Sequence, residues 1–589
     1  MNVLDSRWGR GAPGWCCALL CLVSTGCDRR DVSKAAGAAG ARNRDFAVRA
    51  WFTEITSEVG LDFVYEAGAK GKLYMPEIMG AGAALFDYDN DGDLDIYLIN
   101  GNRDLPRMVK SEALTNRLFR QDADAGKPVR RWFVDVTEES GLGDGGYGMG
   151  VAIGDIDNDG DMDVYVTNFG RDTLFRNRGD GTFEDITAQA GITAESWSCS
   201  ATFLDYDLDG FLDLYITRYV EFNPLKPCTD RAGRPNYCGP LSLPPVHDLL
   251  LRNNGDGTFV DVSEQVGIAS TLAAGLGVVS EDFNDDGRPD LYVANDGYPN
   301  QLWISSPDHP FQDAALLTGA AYSWNGTPEA GMGVLAADLD NDGHLDLFMT
   351  HLASESNTFY RNLGGTRGFS DVTGESGLAF SSIPFTGFGT CAFDVELDGD
   401  LDLLVVNGRV DRGDPRSDSD MPPPWDMYAE PNLFYLNDGT GTFALSQAQA
   451  GSFGDRVEVT RGLVVGDIDS DGDQDVLISN IQGPARLYRN DAPRQGHWLS
   501  VRARDPQLRR DAIGAVVSVF LGERRLLRTI TSGFSYLSAS EPIAHFGLGK
   551  AARVDRIEVR WPGGVYETFP GTPADRSIVL RRGEGERKR

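Results

Sequence analysis

Seven times along this chain of 589 residues a nine-residue pattern returns, with Asp at places 1, 5 and 9, an oxygen-bearing side chain at place 3 and Gly at place 6. The copies begin at Asp87, Asp155, Asp205, Asp282, Asp338, Asp394 and Asp467, spaced 68, 50, 77, 56, 56 and 73 residues apart. That period suits a four-stranded unit with loops of unequal length. A small, Gly-rich apolar run precedes each loop, as at 82–86 or 150–153, and an alternating run follows, as at 94–100. Alternation with a period of two predicts a strand. A third run (173–177, 358–362), a turn (179–182) and a fourth run (183–187) complete the unit. The expectation is an all-β chain: a seven-bladed β-propeller followed by a small β-rich C-terminal domain.

The fourth run recurs at 133–137, 259–263 and 369–373, with weaker versions from Phe311 and Phe443. The seventh repeat lacks one, yet a spare copy at 52–56 precedes the first. The N-terminal strand is therefore expected to complete the seventh blade, which removes both open sheet edges.

Short acidic clusters need a counter-charge. Hard Ca²⁺ takes six to eight oxygens at about 2.3–2.6 Å, so several carboxylates must converge. Place 1 supplies Asp87, Asp155, Asp205, Asp282, Asp338, Asp394 and Asp467. Place 3 supplies Asp89, Asp157, Asp207, Asn284, Asp340, Glu396 and Asp469. Place 5 supplies Asp91, Asp159, Asp209, Asp286, Asp342, Asp398 and Asp471. Place 9 supplies Asp95, Asp163, Asp213, Asp290, Asp346, Asp402 and Asp475. Place 7 varies freely (Asp93, Asp161, Phe211, Arg288, His344, Asp400, Asp473), as ligation through its backbone carbonyl predicts. An EF-hand is excluded, because it needs a bidentate Glu at place 12, where Leu98, Val166 and their counterparts stand here. The fourth loop (Asn284, Arg288, Pro289) and the sixth (Glu396) are less regular and are expected to bind more weakly. The cofactor expected is structural Ca²⁺, up to seven ions, with affinities of about 10⁻⁴–10⁻³ M as in extracellular modules.

The formal net charge of −34 argues against nucleic acid, which is bound by basic surface. From His497 onward the sign reverses: 17 Lys and Arg face 10 Asp and Glu, leaving −41 for the rest. This shift places a domain boundary near 495. Residues 1–26, with Arg7, Arg10 and an apolar run over 15–23, read as a signal peptide. Small residues before Cys27 resemble a bacterial lipoprotein box, with Cys27 lipidated as the first mature residue; ordinary cleavage nearby is the alternative. Residues 27–49 read as a flexible tether, 50–494 as the propeller, 495–582 as the β domain and 583–589 as a charged, disordered tail. Cys228 and Cys238, ten apart in a Pro-rich insertion, are expected to form a local disulfide in an oxidising compartment. Cys199 and Cys391 read as buried free thiols.

The acidic loop and the Phe-x-Asp-Val-Thr strand resemble the FG-GAP (VCBS-type) repeats of integrin α-chain propellers. Residues 510–515, 532–538, 545–549 and 559–563 resemble the ASPIC/UnbV domain. Together they are similar to the cartilage acidic protein family and its bacterial relatives, a resemblance that implies extracellular calcium-binding proteins with no enzymatic residues to carry over.

Two Arg-Gly-Asp triplets, at 178–180 and 412–414, read as a repeat hairpin and a loop rather than adhesion signals. His545 reads as a packed residue. No nucleophile, zinc or phosphate-loop motif occurs. Insertions at 102–131, 219–248 and 411–431 are better candidates for recognition, with Trp425 and Tyr428 able to meet a sugar or peptide. The leading expectation is a monomeric, exported module, in the bacterial envelope or outside the cell. It would bind a protein or polysaccharide through face loops and touch membrane only through an N-terminal lipid. The alternative is a secreted hydrolase or lyase acting on extracellular polymers from the central channel or the insertions.

Overall fold

The alternating runs become strands, and each acidic loop becomes the turn joining the first two strands of a unit. The computed structural model describes residues 49–106, 110–111, 113–123, 131–193, 195–307 and 311–588. The expected leader, Cys27 and nearly all of the tether lie outside these residues.

Seven four-stranded antiparallel units follow one another. In the second unit Gly148–Gly154, Asp163–Arg171, Thr173–Asn177 and Phe183–Asp185 pair in sequence order. In the seventh unit, Thr460–Gly466, Asp475–Asn480 and Arg486–Asn490 are joined by Phe52–Glu54 from the chain's start. Phe52 pairs with Asn490 and Glu54 with Tyr488, as the spare sequence copy requires. The innermost strands, from Ala83–Phe86 round to Thr460–Gly466, touch in cyclic order, the last lying against the first. Their central residues are buried on both faces: Leu85, Val151 and Val464 are each at most 1% exposed.

After the seventh unit the chain enters a β domain of two sheets. His497–Asp505 lies between Ala544–Gly549 and Arg576–Arg581, and Val516–Leu521 lies between Arg524–Thr529 and Arg556–Trp561. Leu499, Val517, Ile557 and Trp561 belong to its own apolar core. The charged tail departs from the expectation of disorder. Glu586–Arg587 forms a strand on Glu567 and Thr568, and the neighbouring basic side chains face carboxylates. Lys588 Nζ reaches Glu558 Oε2 at 2.9 Å and Arg587 reaches Glu567 at 3.5 Å.

This domain does not stand apart from the ring; the described residues form one unit. Between its strands the chain leaves it at about residue 531 and runs into the central channel. Ser532 Oγ donates to Ile153 O at 2.9 Å and Leu537 N donates to Ser200 Oγ at 3.1 Å. Ser535 exchanges backbone hydrogen bonds with Val334 at 3.0 and 2.7 Å. Thr390 N donates to Ser535 Oγ at 3.0 Å, and Ala539 pairs in parallel with Ala84. One short segment thus bonds to the first, second, third, fifth and sixth units. From the other mouth the one-turn helix Pro76–Met79 enters, and Tyr536 Oη donates to Met79 O at 3.2 Å. Arg461, fully buried, donates to Ile78 O at 2.7 Å and lies 3.7 Å above the Phe388 ring centroid. The protein's own chain occupies most of the channel, leaving a cavity of about 110 Å³ beside Leu335, Phe393, Val465 and Phe534.

Candidate metal centres

The acidic loops share one hydrogen-bonding scheme, seen clearly in the second. Asp155 accepts from Asp159 N (3.2 Å) and Gly160 N (2.9 Å), and Asp159 accepts from Asp161 N (2.9 Å). Asp163 accepts from Ile156 N (2.9 Å) and from Asn177 N (2.8 Å) on the third strand. Each carboxylate thus draws backbone around itself, and the loop closes like a coil. Place 6 needs positive φ, 104° at Gly160, which is why Gly recurs there. Place 4 is left-handed as well, a feature that reading the sequence for carboxylates overlooked. Asn90, Asn158, Leu208, Asp285, Asn341, Leu397 and Ser470 all have φ between 55° and 63°. For Leu208 and Leu397 this costs about 1–3 kcal/mol, which a loop retains only where its surroundings over-determine it.

The structure brings together places 1, 3 and 9. Within 4.8 Å of one another lie ligand atoms of Asp87, Asp89 and Asp95; Asp155, Asp157 and Asp163; Asp205, Asp207 and Asp213; Asp338, Asp340 and Asp346; and Asp394, Glu396 and Asp402. Place 5 is not in these groups, since its carboxylate turns to the place 7 N–H, as Asp91 does to Asp93 at 2.9 Å. Place 7 side chains face other partners: Asp161 accepts from Asn90 Nδ2 at 2.6 Å, and Asp473 pairs with Arg494 at 3.0 Å.

Several inward oxygens have no partner. Asp89 Oδ1, Asp157 Oδ1, Asp205 Oδ1, Asp338 Oδ1 and Glu396 Oε2 are buried without a hydrogen bond. A buried, unpaired carboxylate oxygen is costly, and a hard divalent cation is the group that would use it. Burial pushes Asp95 and Asp213 up to about 8 and Asp163 well above the usual carboxylate range. The sixth loop gathers its carboxylates as the regular loops do. The fourth does not fit as well. Asn284 contributes no charge, and the guanidinium of Arg560, 8% exposed, bonds directly to Asp282 and sits 3.3 Å from Asp285. An internal cation already occupies that loop.

Each loop is also tied to its neighbour. A side-chain N–H donates to the place 2 carbonyl of the preceding loop: Asn177 to Tyr88 (2.8 Å), Asn253 to Ile156 (2.8 Å), Asn362 to Phe283 (3.3 Å), Asn437 to Leu339 (2.8 Å) and Asn490 to Val395 (2.9 Å). Gln121 takes this role in the first unit, bonding Ile468 O at 3.0 Å. The fourth unit has Ser305 at the corresponding place, and Arg288 substitutes, reaching Tyr206 O at 2.9 Å. The latches run unbroken round the ring.

The basic C-terminal domain covers this acidic face. Arg510, 4% exposed, bonds Asn158 Oδ1 (2.8 Å) and Gly210 O (3.1 Å). Arg524 pairs with Asp400 and donates to Asp398 O at 3.1 Å. His545 Nε2 lies 3.0 Å from Gly472 O, its ring stacked 6.2 Å from that of Trp498, so it is a packed residue in direct contact with the seventh loop. Burial lowers its pKa to about 4, keeping it neutral. The sign reversal read from the sequence is a docked interface.

On the opposite face, Cys228 and Cys238 are joined in a disulfide, while Cys199 and Cys391 are buried thiols. Trp425 and Tyr428 are 5% and 2% exposed, so they are pocket walls rather than an open platform.

A family model described as FG-GAP-like repeat matches residues 87–166, 155–216, 242–293, 282–349 and 338–405, and one described as ASPIC and UnbV matches 505–587. Cartilage acidic protein 1 of Mus musculus is 26% identical over 349 residues, covering 56% of this chain and 42% of that protein. The Homo sapiens protein of the same name is 27% identical over 323 residues, covering 54% and 37%. The chain thus spans less than half the length of these curated relatives. Among solved structures, the BP39L lectin of Burkholderia pseudomallei aligns with a TM-score of 0.38 at 10% identity, covering 70% of this chain and 97% of that one. At that score the likeness carries no functional argument.

Proposed function

Because the chain belongs to the family that joins FG-GAP-like repeats to an ASPIC and UnbV domain, we propose that it is a calcium-loaded, extracellular binding module without catalytic activity. The observation that supports calcium is the set of buried, unpartnered carboxylate oxygens at places 1 and 3. When bound, the ion would neutralise carboxylates that burial otherwise holds protonated. The chain's residues do the rest: places 1, 3 and 9 present oxygens, place 7 offers its carbonyl, and the latches pass the rigidity of one loop to the next. Equilibrium dialysis of the purified chain tests this; no stoichiometric uptake at millimolar Ca²⁺ would discard it.

The remaining free face carries the insertions 219–248 and 411–431, and these are the surface we assign to a protein or glycan partner. Residues 532–540 and the helix Pro76–Met79 run through the central channel, which leaves the insertions as the main place for the alternative, a polymer-cleaving enzyme. Export is supported by the Cys228–Cys238 disulfide, which persists in oxidising compartments. Among the described residues no helix is long and apolar enough to cross a membrane. Attachment through Cys27 is tested by metabolic lipid labelling of wild type and Cys27→Ala, the label being lost only in the variant.

A further inference from the structure

On the face opposite the docked domain, a cavity of about 370 Å³ opens beside the helix Pro76–Met79. Its place follows from topology. The acidic loops join first to second strands, whereas the insertions join second to third strands and must emerge at the other end of the blades. Four segments far apart in sequence build its walls: residues 66–77, Tyr237 from the disulfide-closed insertion, Arg412, Trp425 and Tyr428 from the 411–431 insertion, and Gln482. The walls are fixed to one another. Asn236 Nδ2 donates to Asp411 Oδ1 at 2.9 Å, Gly413 N donates to Met427 O at 3.0 Å, and the Tyr428 ring lies 5.9 Å from Tyr237 and 6.0 Å from Trp425.

Two polar groups on these walls have unused capacity. Glu77 is 1% exposed; its Oε2 accepts from Tyr237 Oη at 3.3 Å, but its Oε1 is buried with no partner. Arg412, half-buried, has an Nε with no partner. A carboxyl oxygen this deep is set there at a cost unless something bonds to it.

We propose that this cavity is a binding site for one neutral hexose-sized sugar unit, free or at the end of a glycan. It rests on the binding-module reading above and gives that reading a ligand class. The chemistry selects it in steps. The free oxygen of Glu77 and the free N–H of Arg412 are already shielded from water, and a purely apolar ligand would leave both unsatisfied. A cation meets the guanidinium, and an anion must approach a chain of net charge −34. A sugar ring offers hydroxyls that donate to Glu77 and accept from Arg412, with C–H faces for the aromatic walls. The volume lies within the range of small-molecule sites, about 300–1,000 Å³. Arg412 also opens the second Arg-Gly-Asp triplet, so its side chain serves this cavity instead of an adhesion signal.

The test is saturation-transfer NMR and calorimetry on the full chain in millimolar calcium. The probes are neutral methyl hexosides, the matching uronates and hexosamines, and short peptides. Neutral hexosides are expected to bind, with affinity reduced at least tenfold in Glu77→Gln and in Arg412→Met, while melting temperature and calcium stoichiometry stay at wild-type values. Hexoside binding that survives both substitutions would overturn the site yet leave the binding-module reading standing. Binding of only uronates, amines or peptides, or of none of the probes, would overturn the proposal. Failure of calcium uptake, read separately by dialysis, would instead strike the underlying reading.

Discussion

The side-chain amide of Gln121 donates to the backbone carbonyl of Ile468 at 3.0 Å and closes the circle of latches between the first and seventh loops. The other six latches join neighbours in sequence order; this one joins the ends. Gln121→Leu keeps the shape and removes this bond, and the net loss of one such hydrogen bond costs about 0.5–1.5 kcal/mol. Urea unfolding should show that loss, and the double variant with Asn490→Leu should lose more. Unchanged midpoints in both would mean that the latches are incidental.

Calcium binding should reach six ions per chain at millimolar concentration, not seven, because Arg560 already neutralises the fourth loop. Asp155→Asn should lower the count by one and Asp282→Asn should leave it unchanged. Dialysis that returns seven ions, or a loss with Asp282→Asn, would show that Arg560 yields to the metal.

The ion-free chain should be more stable at pH 5 than at pH 8. Burial holds Asp95, Asp213 and Asp290 up to about 8, against about 3.9 in an unfolded chain. A folded pKa above the unfolded one contributes stability that is full below about 4 and is lost as pH rises through about 8. Saturating calcium, which binds the charged form, should abolish or reverse that slope. Calorimetry with chelator and with calcium at both pH values reads the sign directly; a flat chelated profile would contradict the burial argument.

Gly82→Ala should dislodge the segment that fills the channel. A Cβ there would stand 1.7 Å from Leu537 O and 2.4 Å from its carbonyl carbon, and backbone cannot give way as a flexible side chain does. Overpacking of this kind costs about 1–3 kcal/mol, occasionally more. The melting temperature should fall and limited proteolysis should begin to cut near residue 535. Wild-type protection would show that the segment is held without that contact.

Much of the ring was legible because its determinants are local. The carboxylate spacing, the Gly at place 6 and the spare strand copy at 52–56 each sit within a short window. The latches were not, since Asn177 looks like any strand-end Asn until Tyr88 is placed beside it. Nor was the left-handed place 4, because Leu208 and Leu397 break the residue preference that would have signalled it. The charge reversal after residue 497 marked a boundary, but not that Arg510, Arg524 and Arg560 would each reach an acidic loop. Glu77, the deepest acid of the sugar cavity, carried no signal at all; only convergence of four distant segments gives it meaning.

The closing strand has a consequence for how the molecule is made. Thr56 Oγ1 accepts from Leu487 N across 431 residues of sequence, and the channel segment is translated later still. The first of the described strands to be synthesised is therefore among the last to find its partner. Throughout synthesis and any passage across a membrane, an unpaired edge has to wait while six blades accumulate behind it. Such a chain depends on being kept apart from its own copies until translation has finished, and its assembly is slow for the reason that makes it durable: the seam joins the ends of the ring rather than neighbours.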